Sequence, residues 1–325
     1  MASNSMNSFS PDKPFVYQHS IMHPELQRLL EDNFNMVQPA QVEEYRDKIS
    51  AIFCFVAPPV RVELIASFPN LKVVGNCAVG YEHVDVKACF ERGIRVGYTP
   101  NVLNAATADM GWALLLAAAR RVVDGDKISR DPSTEHFELN SFGFQVSGTT
   151  LGIIGMGRIG LEFAKRAMGF DMKLLYYNRS KYSKEIEESL NATYTPNLDD
   201  LLCQSDYVVL LAPSTPETHH MMSSPQFKVM KRSSIFVNIA RGKLVDQDAL
   251  VAALRDGTIA GAGLDVTDPE PLPRDHPLLT LHNVTLTPHT GSATLHTRAG
   301  MVQMTINNIW AALKGQEMVN EVKSS

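Results

Sequence analysis

A chain of 325 residues, 44% hydrophobic and 20% charged, is long enough for about two domains with substantial cores. Its net charge of −5 gives no reason to expect nucleic acid or an anionic membrane as partner, and no apolar run approaches the roughly 20 residues that span a bilayer. Residues 1–14 are polar and rich in Ser and Asn, without the basic flank and apolar core of a secretory signal. The ending Val322-Lys323-Ser324-Ser325 is not a peroxisomal address. Cys54, Cys77, Cys89 and Cys203 form no Cys-x-x-Cys pair and read as buried free thiols in a reducing compartment, so the cytoplasm is the expected location.

After this start the chain alternates. Residues 14–17 read as a short strand, 24–30 as a helix, 35–37 as an extended piece, and the apolar run 51–56 as a strand covered on both faces. A helix at 59–68, a strand at 71–74, a helix at 85–92 stopped by Gly93 and a strand at 95–98 follow. This is the pattern of a small parallel-sheet α/β domain. Residues 102–123 break the rhythm: Asn104 is placed to cap a long helix carrying Trp112, Leu115, Leu116 and Ala119, which is expected to cross into a second domain. Residues 124–148, with Phe137, Phe142 and Phe144, show no period and read as an irregular arm.

The second domain opens on a buried-type strand, Leu151-Gly152-Ile153-Ile154, that breaks into Gly155-Met156-Gly157-Arg158-Ile159-Gly160. Gly155 permits a tight exit from the strand, Gly157 lets backbone approach a pyrophosphate, and Gly160 lets the next helix pack close to the sheet. A helix at 159–168 and a strand at 172–177 complete a β-α-β unit, so the turn reads as a dinucleotide site whose phosphates face the helix's free N–H groups. Further strands are expected at 206–211, 234–239, 262–266 and 284–286, with a helix at 247–255 capped by Asp246 and stopped at Gly257. Ser292 is placed to cap a final helix with Leu295, Val302, Ile306, Ile309, Trp310 and Leu313 on one side, long enough to return to the first domain. The division is therefore residues 1–103 with 293–325 as one domain and residues 104–292 as the dinucleotide-binding one.

Three polar residues stand just past strand ends in the second domain: Arg241, Glu270 and His289. Open parallel sheets bind ligands beyond the carboxyl ends of their strands, so the three are expected to converge beside the dinucleotide. A carbonyl accepting hydride needs a proton donor that titrates near neutrality, which suits His289. Glu270 would bind the other ring nitrogen and fix the tautomer, and the Arg241 fork would hold a carboxylate and polarise the adjacent carbonyl. No metal-ligand cluster is visible, and His219-His220 reads as polar surface.

These motifs resemble the D-isomer-specific 2-hydroxyacid dehydrogenase family, and most of all its glyoxylate/hydroxypyruvate reductase branch. The match lies in Gly155-Met156-Gly157-Arg158-Ile159-Gly160, Asn238-Ile239-Ala240-Arg241-Gly242, Asp268-Pro269-Glu270-Pro271-Leu272 and Pro288-His289-Thr290-Gly291-Ser292, with Val79-Gly80-Tyr81 and Tyr98-Thr99-Pro100-Asn101-Val102 in the first domain. The resemblance implies two Rossmann/flavodoxin-like domains with a cleft between them, a homodimer built through the nucleotide-binding domains, and catalysis by Arg241, Glu270 and His289. It implies that the domain of residues 1–103 with 293–325 binds substrate, with the substrate carboxylate on the backbone N–H groups of Val79 and Gly80, joined at the substrate by Arg241 and His289. Cofactor contacts are implied at Thr107, Gly155, Gly157, Arg158, Ile159, Asn178, Arg179, Ser180, Pro213, Ile239, Ala240, Asp265, His289 and Gly291. Relatives commonly carry Trp before the glycine-rich strand, where this chain has Phe142-Gly143-Phe144.

NAD enzymes usually place a carboxylate after the second strand of the unit, whereas Tyr177 is followed here by Asn178-Arg179-Ser180-Lys181. A carboxylate would repel a 2′-phosphate, while an amide, a guanidinium and a hydroxyl welcome one, so NADP(H) is expected in preference to NAD(H). The expected reaction is NADPH-linked reduction of a small 2-keto acid, glyoxylate or hydroxypyruvate. A 2-ketogluconate-type reductase would share every motif, and a co-repressor-like nucleotide-sensing module is the alternative outside enzymes.

Overall fold

Runs such as Ile49-Ser50-Ala51-Ile52-Phe53-Cys54 and Tyr207-Val208-Val209-Leu210 have almost no polar face to turn toward water. In the computed structural model, which describes residues 9–134 and 142–323, both are interior strands of parallel sheets. The chain divides into two compact units, residues 1–103 with 294–325 and residues 104–293. The polar residues 1–8 and the arm's Phe137 lie outside the described residues.

The first unit runs β1 (Phe15–Gln18), α1 (Pro24–Asn33), β2 (Asn35–Val37), α2 (Val42–Tyr45), β3 (Ile49–Cys54), α3 (Val62–Ser67), β4 (Val73–Asn76), α4 (Val86–Glu91) and β5 (Arg95–Gly97). Its five strands are parallel in the order β2-β1-β3-β4-β5, the flavodoxin-like arrangement. Ile49, Ile52, Ile65, Phe68, Val74 and Ile94 form its core, each essentially without solvent exposure. Burial of such side chains contributes roughly 1.5–3 kcal/mol apiece, which holds helices against the sheet that propensity alone would not keep folded.

The second unit continues with α5 (Asn104–Arg120), α6 (Val122–Arg130), β6 (Thr150–Ile154), α7 (Arg158–Ala167), β7 (Lys173–Tyr177), α8 (Lys184–Leu190), β8 (Ala192–Tyr194), α9 (Leu198–Gln204), β9 (Tyr207–Leu210), α10 (Ser224–Val229), β10 (Ile235–Asn238), α11 (Gln247–Arg255), β11 (Gly261–Leu264) and β12 (Val284–Leu286). The last helix, α12 (Leu295–Leu313), belongs to the first unit. Seven parallel strands lie in the order β12-β11-β10-β9-β6-β7-β8. The order reverses between β6 and β9, so the turn after β6 opens at the switch point of a Rossmann sheet, where such folds bind ligands.

Several local expectations change. The long helix expected to reach Val123 stops at Arg120, and a second helix, Val122–Arg130, runs into the stretch 124–148 read as an irregular arm. Arg121 in the left-handed region at φ 54° separates the two, and Arg130 Nε–Asp126 Oδ1 at 2.8 Å braces the second. Asn104 is the first residue of α5 rather than a cap before it. The cap of α12 is Thr294, whose hydroxyl accepts from Thr297 N, not Ser292. Asp246 and Gly257 do as expected: Asp246 accepts from Ala249 N, and Gly257 follows α11 at φ 63°. Cys54, Cys77 and Cys89 are buried, but Cys203 on α9 is exposed. Among the described residues no helix is long and apolar enough to cross a membrane.

Candidate active site

The turn leaving β6 is shaped by what surrounds it. Gly155 sits at φ 88°, and a Cβ there would lie 2.5 Å from Ala212 N, so only glycine fits. Where a Cβ at Gly157 would lie there is open space, beside the first-turn N–H groups of α7 contributed by Arg158 and Ile159. That cradle of bare backbone at a helix N-terminus fits a dinucleotide's phosphates.

Asn178, just past β7, turns both sides of its amide to the same loop. Met156 N donates to Oδ1 at 2.7 Å, and Nδ2 donates to Met156 O at 3.1 Å. Asn178 thus braces the glycine turn, and the next two residues, Arg179 and Ser180, face solvent. Lys181 pairs with Glu187 at 3.3 Å. Glu217, in the loop after β9 that also carries exposed Pro213, is held below the usual carboxylate range by a hydrogen bond with Thr215, by its own backbone and by the Arg179 charge.

Arg241, Glu270 and His289 follow β10, β11 and β12, three neighbours at one edge of the sheet. His289 Nδ1 lies 2.8 Å from Glu270 Oε2. An ionised carboxylate only accepts, so the hydrogen sits on Nδ1 and Nε2 is left to exchange a proton with a ligand. Glu270 Oε1 accepts from Thr267 N at 3.0 Å. Burial works to raise the Glu270 pKa. The His289 hydrogen bond and charge, the Thr267 N–H and the Arg241 charge together outweigh it and hold the carboxyl below its ordinary range. The loop bearing Arg241 folds around Asn238, which accepts from Ala240 N at 3.0 Å and donates to Arg241 O at 3.0 Å. A Cβ on Gly242 would meet Thr267 C and O at 2.1 Å, so the Arg241 and Glu270 loops touch through bare backbone.

Asp265 organises the turn that presents His289. It is 3% exposed, and its carboxylate accepts from Thr287 Oγ1 at 2.6 Å, Thr290 N at 2.8 Å and Gly291 N at 2.8 Å. His289 itself takes φ 52°, uncommon for a residue with a Cβ, and its N–H donates to Asp265 O at 2.8 Å. Gly291 packs against Thr107, whose Cγ2 is 3.3 Å from where a Cβ would stand, and Ile239 and Ala240 are buried at the end of β10. Sequence reading missed the bracing by Thr287, Thr290 and Asn238. Only their position beside strand ends could have marked them. It also missed Gln247, whose side chain accepts from Asp268 N at 3.1 Å and donates to Asp268 O at 2.9 Å.

Val79 and Gly80 lie in the first unit, in the loop after β4. His219 and His220 stack with ring centroids 3.9 Å apart, and among the described residues no group of three or more His, Cys, Asp or Glu could hold a metal ion.

Comparison with known proteins gives the family. Residues 112–291 match the family model of the D-isomer specific 2-hydroxyacid dehydrogenase, NAD binding domain. The chain is 43% identical over 291 residues to the glyoxylate reductase of Thermococcus onnurineus (strain NA1), covering 88% of this chain and 86% of that one. It is 41% identical over 312 residues to glyoxylate/hydroxypyruvate reductase B of Enterobacter sp. (strain 638), covering 93% and 96%. The crystal structure of the NADPH-dependent glyoxylate/hydroxypyruvate reductase of Sinorhizobium meliloti with NADP and malonate superposes with a TM-score of 0.84 at 32% identity, over 95% of this chain and 97% of that one. With a dinucleotide turn at the switch point and a paired His and Glu beside an Arg at the same sheet's carboxyl edge, the chain belongs to the D-isomer-specific 2-hydroxyacid dehydrogenases, oxidoreductases acting on CH–OH donors.

Proposed function

We propose that this protein reduces a small 2-keto acid, glyoxylate or hydroxypyruvate, to the D-2-hydroxy acid with NADPH. The observation that carries the reading is the 2.8 Å His289–Glu270 pair with the Arg241 charge close enough to help depress Glu270. Glyoxylate and hydroxypyruvate are the substrates named for the similar enzymes, and the S. meliloti enzyme is described as NADPH-dependent.

The dinucleotide would rest on Gly155, Gly157, Arg158 and Ile159, with Arg179 and Ser180 taking the 2′-phosphate. Pro213, Ile239, Ala240, Thr107, Asp265 and Gly291 would complete its contacts. When bound it supplies the hydride that adds to C2 of the substrate. The chain's own groups do the rest. In the first unit the Val79 and Gly80 N–H groups would take a carboxylate, and in the second the Arg241 fork would take one and polarise the adjacent carbonyl. As negative charge grows on the carbonyl oxygen, His289 Nε2 delivers a proton to it. Glu270 keeps the imidazole oriented and stabilises its charged form before that transfer.

The protein is further proposed to work as a cytoplasmic homodimer. Val122, Val123, Ile128, Phe142 and Phe144 expose apolar surface on α6 and the arm, beside a cavity of about 250 Å³ in the second unit.

The test follows oxidation of NADPH with glyoxylate and hydroxypyruvate in the parent and in His289→Ala. The variant should lose turnover by about 10²-fold or more with NADPH affinity intact. Equal turnover in both would remove His289 from proton transfer, and absence of turnover in the parent would remove the function.

A further inference from the structure

The geometry points to Asn76 and His83 as positioning residues for the substrate carboxylate, acting through the backbone of the Val79–Gly80 loop. The inference rests on the reading of that loop as the carboxylate's seat. Asn76, the last residue of β4, is 0% exposed, and His83 is 8% exposed. Neither belongs to the reacting set. Asn76 Nδ2 donates to two carbonyls of the loop, Gly80 O at 2.9 Å and Ala78 O at 3.3 Å. The Ala78 carbonyl also accepts from Thr99 N at 2.9 Å.

With the amide nitrogen committed to carbonyls, Oδ1 is the atom facing His83, and Oδ1 only accepts. The 3.0 Å contact therefore has His83 Nε2 donating to Asn76 Oδ1. The imidazole fixes which way round the buried amide stands, and the amide fixes the Ala78–Val79 and Gly80–Tyr81 peptides, which flank the one between Val79 and Gly80.

Peptide planarity carries this to the ligand. In a trans peptide the C=O and N–H point in opposite directions, so turning the Ala78 carbonyl toward Asn76 turns the Val79 N–H away from it. Among the described residues, neither the Val79 nor the Gly80 N–H donates to a protein acceptor. Two adjacent donors with no partner form a concavity suited to an anion, and such a loop collapses onto other acceptors unless its carbonyls are held. The same His83 ties in the neighbouring loop: Val60 N donates to His83 O at 2.9 Å, and Asp85 N donates to Val60 O at 2.9 Å. The segments after β3 and β4 are thereby kept in register through His83 O and Asp85 N, both bonded to Val60.

The experiment compares His83→Leu, which has no donor, with His83→Gln, whose amide N–H replaces Nε2–H. Two readouts are taken: steady-state kinetics with glyoxylate and NADPH, and backbone amide exchange over residues 77–82 in the protein without substrate. His83→Leu should raise KM for glyoxylate by ~10-fold or more, with kcat and NADPH affinity within a few-fold of the parent, and speed exchange by a comparable factor. His83→Gln should restore both. A folded His83→Leu with parental KM and parental exchange overturns the assignment. So does a rise in KM matched by weaker NADPH binding and not rescued by His83→Gln, because that pattern is general loosening. Should His83→Leu fail to fold, Asn76→Ser, which keeps one donor, is read by the same criteria. A parent that turns over no 2-keto acid would sink the proposed function, while the exchange data would still decide whether Asn76 and His83 hold the loop.

Discussion

Asp265→Asn isolates what the buried carboxylate does for His289. The parent Oδ1 accepts from Thr287 Oγ1 at 2.6 Å and Thr290 N at 2.8 Å, and Oδ2 accepts from Gly291 N at 2.8 Å. Asparagine keeps the shape but replaces one oxygen by an NH2 donor. With its oxygen toward Thr287 and Thr290, its nitrogen faces the Gly291 N–H, donor against donor; in the opposite flip the nitrogen faces the Thr290 N–H, while the Thr287 hydroxyl turns to accept from it. Either way the loss is one charge-assisted hydrogen bond plus one buried N–H without an acceptor, together about 2–5 kcal/mol where the turn cannot relax. Because His289 sits at φ 52° on that turn, relaxation moves the imidazole, and kcat should fall by at least ~10-fold alongside the lost stability. Urea unfolding measures the first effect and NADPH oxidation with glyoxylate the second. Thr287→Val, which removes a single donor, should cost less on both scales. If Asp265→Asn unfolds at the parental urea concentration and turns over at the parental rate, the carboxylate is not what holds the turn.

Three other outcomes are expected. Glu270 has a depressed pKa in the folded state, so the stability it contributes is whole above the ordinary carboxylate value of about 4.3 and is lost as pH falls through the lower folded value. Urea midpoints measured through that acid window should therefore slope more steeply in the parent than in Glu270→Gln; identical slopes would show that the pairing with His289 carries no such linkage. Arg179→Ala should weaken NADPH by ~10-fold or more and NADH little, because only NADPH presents a 2′-phosphate to the guanidinium; equal losses would dismiss that contact. Phe142→Asp, at a side chain 78% exposed beside the α6 surface, should shift a homodimer toward monomer in light scattering while leaving the far-ultraviolet spectrum unchanged, and a parent that is already monomeric would refute the dimer.

What was legible in the sequence was what local geometry demands. Gly155 and Gly157 answer requirements set within a few residues, a left-handed turn and a bare approach to the helix, and the structure shows both. Arg241, Glu270 and His289 could be read because a parallel sheet offers one edge for ligands, and a polar residue after a strand in such a sheet has few other places to be. The α6 helix was hidden because its nine residues include Gly125 and its apolar side chains Val122, Val123 and Ile128 face outward, so no core-facing stripe marks it. The choice between Ser292 and Thr294 as cap turns on where α12 begins, which its packing in the first unit decides and two nearby hydroxyls do not.

Asn178 shows where such reading stops. Its position after β7 suits both touching a ribose and bracing the turn that receives the phosphates, and the bracing rests on Met156, 22 residues away. Asp265 depends in the same way on Thr287 and Gly291, 22 and 26 residues on. In both cases the acceptor was visible and its donors were not. A polar residue at a strand end announces a site; whether it meets the ligand or holds another residue toward it is written in partners that the fold alone brings together.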